Sequence, residues 1–259
     1  MISLTSTEIN AWIVAFFFPL ARILALLASA PPFNNAAVNM QVRLLVGIAI
    51  AITITPALPP MPSVEPGSGL GLLIIAEQMI IGFAMGFSMR LVFSAVDLAG
   101  TMVSTQMGLG FATAYDPQST SQTPVISEFL GMLALLMFMA INGHLMVLAT
   151  LTQSFTALPI GGGLPGSASW LNIANAGAIV FSSGLLLALP IVVTLLITNV
   201  ALGVLGRVAP QLNLMAIGFP ITLVLGLLAI FTSMSYLAAP LQQMFEYGLQ
   251  AMLGYFVVR

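Results

Sequence analysis

The sequence predicts an all-α membrane protein of about six kinked hydrophobic helices arranged in hairpins, and its charge distribution is the main reason. No Asp, Glu, Lys or Arg occurs between Glu128 and Arg207. Charged residues make up 5% of the 259 residues, hydrophobic residues make up 59%, and the mean hydropathy is +1.12. A soluble protein needs charges to solvate its surface, whereas a charge at the bilayer centre costs about 2.5–3.5 kcal/mol. The chain is therefore predicted to lie in or against lipid.

Composition also excludes several classes of protein. The chain has no cysteine and no lysine, and its net charge is −2. The absence of cysteine rules out disulfides, thiolate metal sites and a cysteine nucleophile. Nucleic-acid binding would need a basic patch, which this composition does not supply. The first ten residues contain Glu8 and no basic residue, so we expect a retained first span rather than a signal peptide.

Six segments are long and apolar enough, or nearly so, to cross a hydrocarbon core of about 30 Å, which takes about 20 helical residues. Prolines at 31 and 32 punctuate the end of the first, prolines between 56 and 62 close the second, and a Gly/Ser stretch at 66–69 precedes the third. The predicted segments are residues 9–30, 42–58, 70–96, 129–158, 173–205 and 212–239.

The later segments carry the irregular features. A polar region at 104–127 separates the third from the fourth, and a Gly/Pro/Ser loop at 159–169 follows the fourth. The fifth is too long for one perpendicular span. Only residues 206–211 join the fifth to the sixth, which predicts a tight antiparallel hairpin with Arg207 near its tip. Pro19, Pro190 and Pro220 each remove a helix donor and are predicted to kink their segments.

Three charged residues lie inside or at the edge of apolar segments: Arg22, Glu77 and Arg90. A charge in lipid marks a pathway or a paired contact. The simpler interpretation is that the arginines reach the headgroups or pair with Glu77. A third interpretation is that these segments face other protein chains or water.

A glycine-rich apolar stretch at 106–111 adjoins a polar run at 118–123. Such a loop could form a compliant seal in a pore, or it could be an ordinary re-entrant turn. Catalysis has little support, because Tyr115-Asp116 lacks the Gly-x-Gly-Asp that an intramembrane aspartyl protease needs. His144 is the only histidine, so no metal site and no cofactor are predicted.

In the order and spacing of several motifs, the chain resembles the FliR family, the R-type export-gate subunits of flagellar type III secretion. The resemblance covers essentially the whole chain. Its most specific part is Gly-Arg-Val-Ala-Pro-Gln-Leu-Asn at 206–213, which runs into Ile-Gly-Phe-Pro at 217–220. The other motifs are Gln-Met-Gly-Leu-Gly-Phe-Ala at 106–112, Asp-Pro-Gln at 116–118, Asn-Gly-His-Leu at 142–145 and Ala-Leu-Pro-Ile-Gly at 157–161.

The resemblance implies an architecture and a set of partners. Members combine with P-type (FliP) and Q-type (FliQ) subunits into a closed helical cone, with the FlhB and FlhA export components and the basal-body ring as further partners. It implies a P-type-like part at about 4–164, a Q-type-like hairpin at about 173–259, and a location in the bacterial inner membrane within the flagellar basal body. Unfolded exported chains and membrane lipid, but not nucleic acid, are the expected contacts.

Two groups of site residues follow from the resemblance. A loop at about 106–122 is expected to plug the channel, and the motif after the fifth segment is expected to break the helix and serve assembly. The plug residues are Gln106, Met107, Gly108, Leu109, Gly110, Phe111 and Tyr115. The helix-break residues are Arg207, Pro210, Gly218, Phe219 and Pro220.

The predicted function is that of a non-enzymatic pore subunit through which unfolded flagellar proteins are exported. The alternative is a stand-alone secondary transporter or channel that uses broken helices. Against the alternative, few charged residues lie where they could bind an ion. The mass of the purified particle distinguishes the two, because only the pore subunit needs partner chains.

Overall fold

The structure is a computed structural model that describes residues 6–35, 38–62, 64–110, 124–211 and 214–256, with side chains described from residue 14 in the first helix and from residue 217 in the last. Over these ranges the chain forms helices joined by loops, without a strand, which confirms the predicted all-α class. The helices are α1 (Ser6–Ser29), α2 (Met40–Ile54), α3 (Gly69–Gln106), α4 (Val125–Ala140), α5 (Gly143–Ala157), α6 (Ser167–Asn175), α7 (Gly177–Val208) and α8 (Leu214–Gly254).

The described helices are long and apolar enough to make this a membrane protein. Four stretches qualify as spans by length and composition: Met40–Ala57, Gly69–Gln106, Ser167–Val208 and Ile217–Gly254. Helices α4 and α5 form a fifth if they are taken together, and Val14–Ser29 is a shorter apolar helix. Each of the six predicted segments therefore overlaps a helix of the structure.

The fourth segment is not the single helix that the sequence predicts. Helix α4 ends at Ala140 and helix α5 begins at Gly143, so the segment is broken between them. Asn142 lies at the break in the left-handed conformation, with φ of 57°. Asparagine is among the few residues that adopt this conformation at low cost, and Gly143 follows it directly. The Asn-Gly pair therefore interrupts a stretch whose hydropathy is continuous.

Helix α3 continues ten residues beyond its predicted end at residue 96. The extension contains hydroxyl residues, and its last three residues belong to the predicted polar region at 104–127. Thr101 Oγ1 donates a hydrogen bond of 2.8 Å to the Asp97 carbonyl, and Thr105 Oγ1 donates one of 2.8 Å to the Thr101 carbonyl. A hydroxyl that bonds back to its own helix needs no other partner, so these residues do not end the helix.

The chain divides into two compact units, each of which consists of segments that are separate in the sequence. The first unit comprises Met1–Leu91, Asn142–Gly177 and Phe245–Arg259, and the second comprises Val92–Ile141 and Ala178–Met244. Neither unit coincides with the P-type-like and Q-type-like parts that the resemblance implies. That division concerns likeness to other subunits, and it stays a prediction.

Close backbone contacts set the packing of the first unit. A Cβ on Gly82 would overlap the Arg22 carbonyl oxygen, and one on Gly86 would lie 2.9 Å from the Leu26 carbonyl oxygen. A step of four residues along α3 thus matches a step of four along α1, so the two helices run parallel. Helix α2 returns antiparallel to α1, and a Cβ on Gly47 would lie 2.6 Å from Leu24 Cδ2. Small residues at these points let the helix backbones approach closely.

The second unit uses the same kind of contact. A Cβ on Gly100 of α3 would overlap the Cα of Ser127 of α4, so the two helix backbones are in close contact at this point. One on Gly184 of α7 would lie 2.8 Å from the Ala95 carbonyl oxygen. The rings of Phe93 and Phe138 pack edge to face with centroids 6.0 Å apart. Helices α4 and α7 therefore both pack closely on the C-terminal half of α3.

We expect Gly82→Val to prevent α1 from packing on α3. The new side chain would meet backbone atoms of α1, which cannot move aside as a flexible side chain can, and overpacking of this kind costs about 1–3 kcal/mol or more. The measurement is the amount of full-length protein that survives limited proteolysis of membranes. Gly203→Val is the matched control, because a Cβ at Gly203 would meet nothing within 4 Å. Equal survival of the two variants would contradict the packing described here.

Candidate functional site

The C-terminus of α3 ends in a defined cap from which the predicted plug loop departs. Gly108 has φ of 81°, its N–H donates a hydrogen bond of 3.1 Å to the Thr105 carbonyl, and the Leu109 N–H donates one of 3.1 Å to the Ser104 carbonyl. This is the hydrogen-bond pattern of a Schellman motif, in which a glycine takes the left-handed position. The glycine at 108 therefore fixes where the helix stops and in which direction the chain leaves it.

Met107 anchors this cap to α8. Its side chain is fully buried. A Cβ on Gly226 would lie 2.6 Å from Met107 Cγ, so the absent side chain of Gly226 makes the room that Met107 fills. Thr222 Oγ1 lies 3.2 Å from the Met107 carbonyl oxygen and 3.0 Å from the Phe219 carbonyl oxygen, within hydrogen-bond distance of both. The base of the loop is thus held by packing and by a hydroxyl.

The structure brings together two motifs that are far apart in the sequence. A Cβ on Gly108 would lie 3.3 Å from Cδ2 of Phe219, so the first plug glycine faces the ring of a predicted helix-break residue. Gln106 and Leu109 are half-buried beside this contact, and Gly110 is exposed. Phe111 and Tyr115 lie outside the described residues.

The other predicted helix-break residues are less confined. Arg207 is exposed in the last turn of α7, where its positive charge faces the negative end of the helix dipole. Pro210 and Pro220 are also exposed. A Cβ on Gly218 would lie 3.8 Å from Leu202 Cδ1, an ordinary contact. That contact joins α8 to α7 across residues 209–213, as the predicted hairpin requires.

A buried arginine forms a second polar site, in the first unit. Arg22 is fully buried. Its Nε and Nη2 both donate to the Gln78 side-chain oxygen, its Nη1 donates to Ser154 Oγ at 3.0 Å, and its Nη2 donates to the Leu158 carbonyl at 2.9 Å. The guanidinium carbon lies 4.3 Å from the centroid of the Phe155 ring. Residues of α1, α3 and the end of α5 thus converge on one cation.

These partners are all uncharged, which explains how the cation is stabilised. The Leu158 carbonyl is at the C-terminal cap of α5, where the helix dipole is negative. The face of the Phe155 ring adds the attraction of its quadrupole. A buried cation without such partners would cost several kcal/mol, so the four groups offset that penalty together.

Two of the interpretations given for Arg22 are therefore wrong. It neither reaches a headgroup nor pairs with Glu77, because its donors are used by neutral groups and the acceptor on α3 is Gln78, one residue further along. On a helix, adjacent residues point about 100° apart, so only one of the two can face α1. Glu77 is half-buried and Arg90 is exposed, so the three in-segment charges do not form one cluster.

Sequence reasoning missed the residues that complete both sites. Gln78, Ser154 and Phe155 around Arg22, and Thr222 and Gly226 around Met107, look like ordinary residues of apolar helices. A usable signal existed for Gln78, because a buried amide in an apolar helix needs a partner and Arg22 is a candidate cation inside another apolar segment.

We expect Arg22→Met to destabilise the protein strongly, by about 3–5 kcal/mol, because it leaves Gln78, Ser154 and the Leu158 carbonyl without a donor. The double variant Arg22→Met/Gln78→Met should lose less than the sum of the two single losses, since it also removes the orphaned amide. The measurement is the midpoint of thermal unfolding in detergent. Arg90→Met is the control and should change stability by less than about 0.5 kcal/mol, because Arg90 is exposed. Strictly additive losses would show that Arg22 and Gln78 do not interact.

Comparison with known proteins places the chain in a family. The sequence pattern of the family described as Bacterial export proteins, family 1, matches residues 13–248. The chain is 41% identical over 240 residues to the flagellar biosynthetic protein FliR of Escherichia coli (strain K12), covering 93% of this chain and 91% of that protein. It is 40% identical over 230 residues to FliR of Pectobacterium carotovorum subsp. carotovorum, covering 89% and 88%. Similarity extends to FliR of Bacillus subtilis (strain 168), at 26% identity over 241 residues, covering 92% and 93%.

The matched region contains both sites described above, since Arg22, Met107 and Phe219 all lie within residues 13–248. Each of these alignments covers most of this chain and most of the relative, so the similarity concerns the whole fold rather than one segment. The chain belongs to the bacterial export proteins, family 1, the family of the flagellar biosynthetic protein FliR.

Proposed function

We propose that this protein is a structural, non-enzymatic subunit of the flagellar export gate. It forms a channel for unfolded flagellar proteins together with P-type (FliP) and Q-type (FliQ) subunits. FlhB, FlhA and the basal-body ring of the bacterial inner membrane are the further partners. Membership of the export family supports the general role. The main observation that supports assembly into a larger pore is the amount of exposed apolar surface on α7 and α8.

Helix α7 exposes more apolar length than an upright span can place in lipid. Large hydrophobic side chains are exposed along it from Phe181, which is 70% exposed, to Val208, which is 77% exposed. At a rise of 1.5 Å per residue this track is about 40 Å long, whereas the hydrocarbon core is about 30 Å thick. The excess needs either a steep tilt or a cover of protein. Neighbouring subunits that pack along α7 provide that cover.

Helix α8 has the same property. Its 41 residues correspond to about 60 Å, and exposed aromatic side chains occur along it from Phe219 to Tyr236 and Tyr247. A protein that works as a single chain normally buries such side chains. A contiguous exposed apolar surface therefore marks an interface with another protein or a contact with lipid. Helices α7 and α8 include the hairpin that the resemblance assigns to the Q-type-like part, so this hairpin is the proposed site of subunit packing.

The segment after Gly108 acts as the seal of the closed channel in this proposal. Its base is rigid, because Met107 is buried and Thr222 holds the Met107 carbonyl. A seal needs such a fixed base together with apolar groups that can yield, and Leu109 and Phe111 supply apolar groups next to glycines. Gly218, Phe219 and Pro220 then have a role in positioning the base of the seal as well as in assembly.

A stand-alone transporter is the competing function, and the break of the helix between α4 and α5 is the observation in its favour. Transporters bind substrates at such broken helices. Between Glu128 and Arg207, however, the chain has no Asp, Glu, Lys or Arg, so the break contains no carboxylate to bind a cation, and His144 is its one ionisable side chain. The export-gate proposal accounts for the break as an irregular helix that packs on other subunits.

Expressed alone, the protein should be polydisperse or short-lived in detergent, and co-expression with FliP and FliQ should give one particle of higher, uniform mass. The reason is that the apolar faces of α7 and α8 need protein contacts that a single chain does not supply. The measurement is the mass distribution of the affinity-purified particle. A monodisperse, long-lived monomer would contradict the export-gate proposal and favour the transporter.

Deletion of residues 111–122, which keeps Met107 and the Gly108 cap, should leave assembly intact and make the closed gate leaky. Without the loop, nothing apolar fills the constriction, so water and small ions can enter. The measurement is small-solute uptake, or conductance, in cells that express the complete gate. A control shortens the loop at 159–166, which lies outside the proposed plug segment, and should not leak. A deleted gate that assembles and is as tight as the parent would remove the seal from the proposal.

A further inference from the structure

An apolar groove in the first unit has at its end an arginine whose Nε has no acceptor among the described residues. The groove has a volume of about 390 Å³ and lies between α1, α2 and α3. Along α1 it is lined by one face of the helix, from Phe17 to Ala28. Met40, Arg43 and Leu44 of α2 and Ile75 and Met79 of α3 complete it. Arg43 is the only charged residue in the lining.

One nitrogen of the Arg43 guanidinium lacks a hydrogen-bond partner in the part of the chain that the structure describes. This nitrogen is Nε, and it is buried. Arg43 also lies near the N-terminus of α2, whose first turn has no acidic residue. A cation at that end of a helix opposes the helix dipole, so an anion beside it would be stabilising. By contrast, Arg22 in the same unit has acceptors for all its nitrogens.

The cation lies at one end of the groove rather than in its middle. Helix α2 runs antiparallel to α1, with Gly47 against Leu24, so Arg43 is one turn closer to the Ala28 end. From Ala28 to Phe17 the groove follows α1 for about 16 Å, which is about half the thickness of a hydrocarbon core. That is the depth of one leaflet, and therefore the length available to one acyl chain.

The position of α2 relative to the membrane agrees with this arrangement. Met40–Ala57 is one of the stretches that can span a bilayer. Arg43 is three residues from the start of that stretch, about 4.5 Å along the helix, and so would lie at the boundary between headgroups and hydrocarbon. A second apolar cavity of about 540 Å³ shares Ala25, Ala28 and Met79 with the groove, so the site has space for two chains.

We propose that this groove is a binding site for one anionic phospholipid, with the phosphate at Arg43 and an acyl chain along α1 towards Phe17. Charge complementarity decides between this occupant and an apolar helix of another subunit, because a helix would leave the Arg43 Nε without an acceptor. The phosphate oxygens supply that acceptor, and arginine binds phosphate through short charge-assisted hydrogen bonds. The two adjoining cavities favour a diacyl lipid over a single fatty acid. Bound lipid then fixes α2 against α1 and α3.

The test measures lipid that is retained by the purified protein. The full chain is purified with its co-purifying subunits in mild detergent, exchanged into micelles doped with phosphatidylglycerol or with uncharged diacylglycerol, and analysed by native mass spectrometry. The parent should retain phosphatidylglycerol and not diacylglycerol. Arg43→Gln should reduce retention at least about tenfold, since a hydrogen bond to a charged group contributes that much to affinity. Ala28→Phe, which places a ring in the exposed mouth of the groove, should also reduce it.

Two variants control for indirect effects. Arg90→Gln removes an exposed arginine of α3 that does not line the groove, and it should retain lipid as the parent does. Arg43→Lys keeps the charge and should retain more lipid than Arg43→Gln if the headgroup is recognised. Excess inorganic phosphate should not displace the lipid, because the acyl chain contributes to binding. Displacement by phosphate alone would show a simple anion site and would overturn the lipid assignment.

Three further outcomes would overturn the proposal. Equal retention by the parent, Arg43→Gln and Ala28→Phe would show that the lipid lies elsewhere. Retention of diacylglycerol as well as phosphatidylglycerol would show a groove that does not recognise a phosphate. A photo-crosslinker at Leu44 that attaches to another subunit instead of to lipid would show that protein covers the groove. Assembly of the complex is read from the same spectra, so loss of lipid is distinguished from loss of the gate.

Discussion

The first unit depends on the burial of one guanidinium. Arg22 lies within an apolar helix and has no charged partner, yet its donors are satisfied by Gln78, Ser154 and the Leu158 carbonyl. These acceptors belong to α3 and to the end of α5, so the relative positions of three helices are fixed by one side chain. Hydrophobic burial alone would allow the helices to slide or rotate, because apolar contacts are not directional. The hydrogen bonds of the planar guanidinium are directional and select one arrangement.

Glycine contacts provide the distances at which these hydrogen bonds can form. Gly82 lies against the Arg22 backbone itself, so the same turn of α1 that presents the guanidinium also touches α3 at its closest point. In the second unit Gly100 and Gly226 have the corresponding role, the first beside Ser127 and the second beside Met107. In lipid, apolar side chains gain little by leaving the solvent, so close packing of backbones and internal hydrogen bonds replace the hydrophobic effect as the source of stability.

The base of the proposed seal combines close packing at a glycine with a hydrogen bond between helices. A glycine cap stops α3 and directs the chain away, while a buried methionine and a threonine hydroxyl hold the cap to α8. The ring of Phe219 lies at the same point, although it is more than a hundred residues away in sequence. A change in the position of α8 would therefore be transmitted directly to the base of the loop. This gives the proposed gate a physical link between the packing of the C-terminal hairpin and the closure of the channel.

Composition and pattern determined the fold class, the six hydrophobic segments and the family, because hydropathy, proline and glycine are properties of local sequence. The hairpin after Arg207 followed from short-range spacing. The break at Asn142 and the full lengths of α3 and α8 did not, since a left-handed asparagine or a hydroxyl that bonds to its own helix leaves no trace in hydropathy. The choice of Gln78 instead of Glu77 as the partner of Arg22, and the meeting of Gly108 with Phe219, were decided only by tertiary structure. Which side of a helix faces which neighbour depends on rotation and register, and these are set by the packing of all the helices of a unit together.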